Sequence, residues 1–191
     1  MAKEKIRNIN FRNRKAIFLD RDGTLNKAYI ENGLPISPSS LNKFKIIKGV
    51  KKSINKLKKL NFLCILITNQ PDVFRGKISK KTVVKMNSYI KKKIKLDDMF
   101  VCYHDNEHNC SCRKPKPGLL VKASKKWKID LNKSFMIGDR WKDILAGKKV
   151  GCKTIFINNN YKNDKKVKAD FTFKSLLKAV NKIEKLRKNI I

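Results

Sequence analysis

The sequence lacks any long apolar run. Its apolar stretches, such as the six residues at 62–67, fall far short of the roughly 18 residues that a membrane-spanning helix needs. The first 15 residues are basic, but no apolar segment follows them, so they do not form a secretory signal. The sequence therefore predicts a cytoplasmic protein with no membrane segment.

Acidic and aromatic residues are also scarce. The chain has 15 Asp and Glu against 48 Lys and Arg, a net charge of +33, and 8% aromatic residues. Such a charge attracts polyanions. The lysines, however, are spread along the whole chain and are not interleaved with aromatics, as they are in a stacking surface for nucleic acid. This even spread favours a general bias toward lysine, with a small phosphorylated molecule as the substrate and nucleic acid as an alternative partner. The high net charge predicts a monomer.

Short apolar runs, such as the strand predicted at 153–157, alternate with amphipathic segments, such as a helix for which Ser79 is the predicted cap. This order predicts an α/β fold with a Rossmann-like, mostly parallel sheet and helices on both faces. We expect a basic arm at 1–13 and a single domain at 14–191. The intervals between the motifs at positions 24, 68 and 114 are 44 and 46 residues, and a helix and a strand use most of each. No separate cap domain fits, so the loops at 27–40, 71–77 and 102–112 must select the substrate.

The segment from Asp20 to Thr24 carries the strongest chemical signal. It follows the buried run 16–19, and side chains two apart on a strand point the same way, so Asp20 and Asp22 emerge together at the strand's carboxyl end. Two adjacent carboxylates repel each other unless a cation or a shared proton lies between them. Gly23 allows a sharp turn next to a ligand. The pair therefore predicts a hard metal ion, acid–base chemistry, or both.

Three later segments place further polar groups at the same sheet edge. Thr68 and Asn69 end a second apolar run, Asp139 follows another, and Lys114 precedes a helix. The carboxyl ends of parallel strands share one crevice. Carboxylates, a hydroxyl, an amide and a lysine in that crevice are typical of a site for Mg²⁺ and a phosphoryl group.

These segments resemble the four ordered motifs of the haloacid-dehalogenase-like phosphatases. The match covers about residues 14–180 and consists of Asp-Arg-Asp-Gly-Thr at 20–24, Thr-Asn-Gln at 68–70, Lys-Pro at 114–115 and Gly-Asp-Arg-x-x-Asp at 138–143. It is closest to the branch of the heptose-bisphosphate and histidinol-phosphate phosphatases, because of the Thr-Asn-Gln and the Cys-x-Cys-Arg-Lys-Pro at 110–115.

The resemblance implies a role for each matching residue. Asp20 would be the nucleophile that forms an aspartyl-phosphate, and Asp22 the proton donor and acceptor. Thr68 and Lys114 would bind the phosphoryl oxygens. The remaining roles are a Mg²⁺ site at Asp20, the Asp22 carbonyl and Asp139, an anchor at Asp143, and substrate-binding or orienting side chains at Asn26, Asn69, Gln70, Arg75 and Arg113.

A cluster of cysteine and histidine precedes the lysine motif. Cys102, Cys110 and Cys112, with His104 or His108, offer the three sulfurs and one imidazole that suit tetrahedral Zn²⁺. The same zinc loop marks the resembling branch, and this favours His104. A site closed by four protein ligands predicts a structural zinc that stiffens the loop before Arg113.

The resemblance favours a heptose-bisphosphate phosphatase, and three other functions remain open on the sequence. They are a histidinol-phosphate phosphatase, a polynucleotide end phosphatase, and a polyanion-binding protein on an inactive phosphatase scaffold. The four motif residues Asp20, Asp22, Lys114 and Asp139 are intact, which argues against an inactive scaffold.

Overall fold

A six-stranded parallel sheet forms the centre of the computed structural model, which describes residues 14–162 and 165–188. The predicted arm at 1–13 lies outside the described residues. The strands are β1 (Lys15–Leu19), β2 (Tyr29–Glu31), β3 (Leu34–Ile36), β4 (Phe62–Asn69), β5 (Asp98–Cys102), β6 (Phe135–Gly138), β7 (Lys153–Ile157) and β8 (Phe171–Phe173). The sheet order is β5-β4-β1-β6-β7-β8, and all neighbouring pairs are parallel. The predicted fold class is confirmed.

Five helices cover the two faces of the sheet. They are α1 (Val50–Lys59), α2 (Lys80–Ile94), α3 (Gly118–Trp127), α4 (Trp141–Lys148) and α5 (Leu176–Lys188). Apolar side chains of α1, α2 and α5 pack in one core, and those of α3 and α4 pack in the other. Ser79 caps α2 by accepting a hydrogen bond from the Thr82 backbone N–H. None of the described helices is long and apolar enough to cross a membrane.

The strand side chains divide between the two cores with a period of two. In β1, Ile17 and Leu19 lie in the first core, whereas Ala16 and Phe18 lie in the second. Because β1 is covered on both faces, the whole run is apolar, as expected for a central parallel strand. The last residue of β1 therefore delivers the polar segment at 20–24 directly to the sheet edge.

Part of the segment predicted as a selecting loop at 27–40 is instead a β-hairpin. Strands β2 and β3 pair antiparallel around Asn32 and Gly33, which have φ angles of 49° and 74°. Both positive angles suit a two-residue turn between hairpin strands, and Asn-Gly is the typical sequence for such a turn. The short β8 at the sheet edge was also not predicted, because three residues give too little periodicity.

Candidate active site

The sheet brings the predicted strand-end residues together. Strand β1 lies between β4 and β6, so Asp20 lies next to Thr68 at the end of β4 and Asp139 at the end of β6. The Asp20 backbone N–H donates to the Ile137 carbonyl at 2.9 Å, which continues the β1–β6 pairing into the motif. These side chains lie together at one edge of the sheet, as the sequence predicts.

Three carboxylates form a buried cluster at this edge. Oxygen atoms of Asp20, Asp139 and Asp143 all lie within 4.8 Å of one another. The Lys114 ammonium lies against two of them, with Nζ 2.6 Å from Asp20 Oδ1 and 2.5 Å from Asp143 Oδ1. It also donates to the Ile67 carbonyl at 2.7 Å. One buried lysine thus faces three buried carboxylates, which leaves an excess of negative charge.

This excess appears in the ionisation of the carboxylates. Burial, only partly offset by Lys114, raises the pKa of Asp20 to about 7. Burial and then the charges of Asp20 and Asp143 raise the pKa of Asp139 well above its usual value. The Lys114 pKa is also raised, because Asp143 and Asp20 outweigh the effect of burial. A divalent cation would favour the ionised forms of Asp20 and Asp139.

The backbone of the 20–24 segment approaches the Asp139 carboxylate closely. Gly23 has a φ of +84°, and a Cβ atom there would lie 1.9 Å from Asp139 Oδ2. Only glycine allows the 20–24 segment to approach the carboxylate so closely. The oxygen donors and this close backbone approach fit a small hard cation such as Mg²⁺.

Asp22 is held apart from the carboxylate cluster by its own set of donors. Its carboxylate accepts hydrogen bonds from Asn26 Nδ2 at 2.8 Å, Gln70 Nε2 at 2.9 Å and Ser37 Oγ at 2.8 Å. Arg21 adds an ion pair at 2.9 Å. Burial is the largest single influence and opposes ionisation, but the charge of Arg21 and the hydrogen bonds from Arg21, Asn26 and Gln70 together outweigh it and lower the pKa of Asp22. The environments of the two motif aspartates therefore shift their pKa values in opposite directions, and a neighbouring negative charge must raise the pKa of Asp22 before it can donate a proton.

Two predicted substrate-binding residues lie behind the cavity surface. Gln70 and Asn26 are buried, and both bond to Asp22; Gln70 also donates to Thr68 Oγ1 at 3.0 Å. Asn69 lines the cavity, and its side chain bonds to the backbone N–H and carbonyl of Lys114 at 3.1 and 3.0 Å. These contacts orient the reacting groups, and the substrate contacts of the three residues stay predictions.

Several site residues were missed by the sequence reasoning. Tyr161 Oη donates to Asp139 Oδ2 at 2.6 Å, and Asn159 donates to the Gly23 carbonyl at 2.9 Å. Both lie in a polar loop after β7, where the sequence offers no signal beyond the position of the strand end. Arg21 is fully buried and also bonds Asn87 and Gln70. Its position directly between two motif aspartates was a usable signal that its charge would lie close to the site.

A cavity of about 540 Å³ opens in front of the carboxylates. Asp20, Thr68 and Lys114 form its floor, and the β2–β3 hairpin forms one wall. Arg75 and Arg113, both predicted to bind substrate, lie on the wall, together with Arg140 and Lys142. Within the described part of the chain, no separate cap domain covers the opening. The cavity suits a small ligand with negative charge at more than one position.

The predicted cysteine cluster also assembles. Ligand atoms of Cys102, His104, Cys110 and Cys112 lie within 4.8 Å of one another, and the Sγ–Sγ distances are 3.2, 3.3 and 3.8 Å. Tetrahedral zinc with four thiolates would separate its sulfurs by about 3.8 Å. His108 lies outside this group, because its Nδ1 accepts from the Asp105 backbone N–H. The four side chains therefore fit a zinc ion, with His104 as the nitrogen ligand.

Comparison with known proteins agrees with these features. A family model described as HAD-hydrolase-like matches residues 111–179. The chain is 35% identical over 177 residues to the D-glycero-beta-D-manno-heptose-1,7-bisphosphate 7-phosphatase of Pasteurella multocida, covering 85% of this chain and 93% of that protein. The Helicobacter pylori (strain ATCC 700392 / 26695) enzyme of the same name is 38% identical over 141 residues, covering 70% and 77%.

A solved structure has the same fold. The D,D-heptose 1,7-bisphosphate phosphatase of B. bronchiseptica, crystallised with magnesium and phosphate, aligns with a TM-score of 0.78 and 23% identity over 90% of this chain and 98% of that one. The fold, the clustered motif side chains and a relative matched over nearly its whole length lead to one conclusion. The chain belongs to the haloacid-dehalogenase-like hydrolases and is a phosphatase.

Proposed function

We propose that this phosphatase removes the 7-phosphate of D-glycero-D-manno-heptose 1,7-bisphosphate through an aspartyl-phosphate on Asp20. The observation that carries the substrate is the shared name of relatives that are 35–39% identical to this chain. The cavity supports it, because basic side chains line the wall in front of the buried carboxylates. A bisphosphate would place one phosphate on the floor and the other near the wall.

Asp20 is the proposed nucleophile. Its Oδ1 contacts Lys114 Nζ, which holds the carboxylate in place and would attract the phosphoryl oxygens next to it. Attack of an Asp20 oxygen on phosphorus forms the new P–O bond as the bond to the sugar oxygen breaks. Thr68 and Lys114 would stabilise the charge on the equatorial oxygens of the transition state.

Asp22 is the proposed proton carrier. It would take up a proton when the negative charge of the bound phosphate raises its pKa, and would give that proton to the departing sugar oxygen. It would then take a proton from the water that attacks the aspartyl-phosphate and releases Asp20. The donors from Asn26, Ser37 and Gln70 fix the carboxylate in one orientation. This fixed position supports the role, because proton transfer needs a constant distance to the leaving oxygen.

Two metal ions are proposed. Asp20, Asp139 and the Asp22 carbonyl would hold Mg²⁺, which when bound supplies charge neutralisation between nucleophile and phosphate. Asp143, which bonds Lys114 and the Arg140 backbone N–H, is the proposed anchor. Cys102, His104, Cys110 and Cys112 would hold Zn²⁺, which when bound cross-links the end of β5 to the loop that carries Arg113.

The test is phosphate release with Mg²⁺ from both anomers of heptose 1,7-bisphosphate, histidinol phosphate and a 3′-phosphorylated oligonucleotide. We expect the highest kcat/KM with one heptose bisphosphate anomer. A preference for histidinol phosphate would transfer the function to that alternative. A preference for the oligonucleotide, falling steeply with salt, would give the +33 charge a role in substrate binding.

The single domain over 14–191, the monomeric state and the cytoplasmic location stay predictions. Size-exclusion chromatography coupled to light scattering tests the monomer. A mass near 22.2 kDa is expected, and twice that mass would contradict the prediction.

A further inference from the structure

Arg75 and Arg113 share one carboxylate, although they come from different loops. Arg75 lies in the loop between β4 and α2, and Arg113 lies in the loop before α3. Asp105 Oδ2 accepts from Arg75 Nε at 2.5 Å, and Asp105 Oδ1 accepts from Arg75 Nη2 at 3.0 Å. Arg113 Nη2 lies 3.3 Å from the same Oδ1. Both arginines line the cavity, whereas Asp105 lies behind them and is not part of its lining.

Among the described residues, the hydrogen bonds and ion pair of the Arg113 side chain all come from one segment. Its Nε donates to Asn106 Oδ1 at 2.9 Å and its Nη1 to the His104 carbonyl at 3.2 Å. Together with Asp105, all three contacts come from 104–106, next to the cysteine cluster. A guanidinium has five N–H donors, so two of those on Arg113 stay available for an anion in the cavity.

Without a carboxylate between them, two guanidinium groups this close would repel. Asp105 removes that repulsion and leaves the three side chains with a net charge of +1. A second contact joins the same two loops, because the Phe74 ring packs edge-on against the His108 ring with centroids 4.1 Å apart. The loop at 71–78 is thus fastened to the segment that holds Arg113.

We propose that Asp105 is a positioning residue that fixes Arg75 and Arg113 as a pair for the substrate's second anionic group. It acts through the arginines and does not touch the substrate. The anionic group that the two arginines would bind lies away from the reacting phosphate. This inference rests on the proposed function, because only a substrate with two anionic groups can use the pair.

The kinetic test is Asp105→Asn, with Asp72→Asn as the matched control. Asp72 accepts from Arg75 Nη1 at 3.2 Å, but among the contacts of the described residues it makes none to Arg113. We expect Asp105→Asn to raise KM for heptose 1,7-bisphosphate about tenfold, the size of one lost charge-assisted hydrogen bond, with kcat within about twofold. KM for heptose 7-phosphate should change by less than about twofold in the same variant.

A second measurement separates this inference from the choice of substrate. The Nε–H resonances of Arg75 and Arg113 are followed by NMR in the substrate-free, zinc-loaded protein. Asp105→Asn should shift both resonances, whereas Asp72→Asn should shift that of Arg75 alone. Because no substrate is present, this result holds even if heptose bisphosphate proves to be the wrong substrate.

Asp105 is adjacent to His104, so its substitution could act through the cysteine cluster. The variant Arg75→Gln tests this, because the Arg75 side chain is 41% exposed and lies on the other loop. It should reproduce the rise in KM with full zinc content, and the double variant with Asp105→Asn should be less than additive. An unmoved Arg113 resonance in Asp105→Asn, or equal losses with the monophosphate and the bisphosphate, would overturn the proposal.

Discussion

The carboxylate cluster and the cysteine cluster both gather side chains that can bind a metal, but they are assembled differently. The cysteine cluster comes from 11 consecutive residues, 102–112. The carboxylates come from Asp20, Asp139 and Asp143, which only the parallel sheet brings together. The aspartates are all buried, whereas Cys110 and Cys112 are only partly so. The cysteine cluster meets the sheet only where Cys102 ends β5, whereas the carboxylate cluster depends on the order of the strands.

We expect the two clusters to have different roles, catalysis for the carboxylates and structural support for the cysteines. Burial and like charge raise the pKa values of Asp20 and Asp139, and such perturbed pKa values are typical of catalytic sites. The cysteine cluster offers four ligand atoms, enough to close a tetrahedral zinc site, and lies beside the loop that carries Arg113 and Lys114. We therefore expect changes in the first cluster to affect turnover, and changes in the second to affect stability and substrate affinity.

The largest effect should come from Asp20→Asn. The amide cannot form the aspartyl-phosphate, so phosphate release should fall by about 10³-fold or more. The free energy of unfolding should stay equal or rise, because a buried negative charge is removed from beside Asp139 and Asp143. Asp130→Asn, a cap residue outside the site, is the control and should keep full activity. Unchanged phosphate release in Asp20→Asn would contradict the proposed chemistry.

Metal removal should separate the two clusters without any substitution. Brief treatment with EDTA should lower turnover by about a hundredfold or more, because the nucleophile and the phosphate lose their shared counter-charge. Added Mg²⁺ should restore turnover at once, with no change in the melting temperature. Prolonged treatment with a thiol-competent zinc chelator should lower the melting temperature as well. Loss of both properties in a single step would mean that the clusters are not independent.

Cys110→Ala should affect stability and affinity together. Loss of one of four ligands should release the zinc and lower the free energy of unfolding by about 2–4 kcal/mol, similar to the loss of a covalent cross-link. KM should rise, because Arg113 and Lys114 follow the cluster directly. Zinc content, unfolding and kinetics are measured in parallel. Cys152→Ala, in the second core, controls for the loss of a thiol and should keep its zinc.

The smallest effect should come from Tyr161→Phe. This change removes the hydroxyl that donates to Asp139 Oδ2, so the carboxylate loses an orienting partner. The Mg²⁺ concentration for half-maximal activity should rise by about tenfold, while kcat at saturating Mg²⁺ changes little. Tyr89→Phe, on the outer side of α2, is the control. If both variants bind Mg²⁺ like the unaltered protein, Tyr161 has no part in the metal site.

Most elements were predictable because their periodicity is strong. Strand β7 begins and ends at the predicted residues, 153 and 157, and α2 begins directly after the predicted cap Ser79. The hairpin was missed because its strands have three residues each, although Asn32-Gly33 was a usable turn signal. The candidate site followed from motif order, since three of the four motifs end or follow a strand and the fourth precedes a helix.

Contacts between distant loops were not predictable. Nothing near Asp105 in sequence indicates that it meets Arg75, and nothing near Tyr161 indicates that it meets Asp139. Such pairs depend on how the loops pack after the sheet has formed. Periodicity carries no information about that packing, because loops have none.

The sequence by itself determined the alternating fold, the order of the four motifs and the cysteine ligands, since each depends on local patterns of burial and spacing. The choice of His104 over His108 was already favoured by the resemblance, and the structure agrees with it. The tertiary structure alone decided that Gln70 and Asn26 face Asp22 and that Asp105 joins two arginines. These outcomes depend on distances between segments that are separate along the chain. Such distances exist only once the sheet and its two cores have packed.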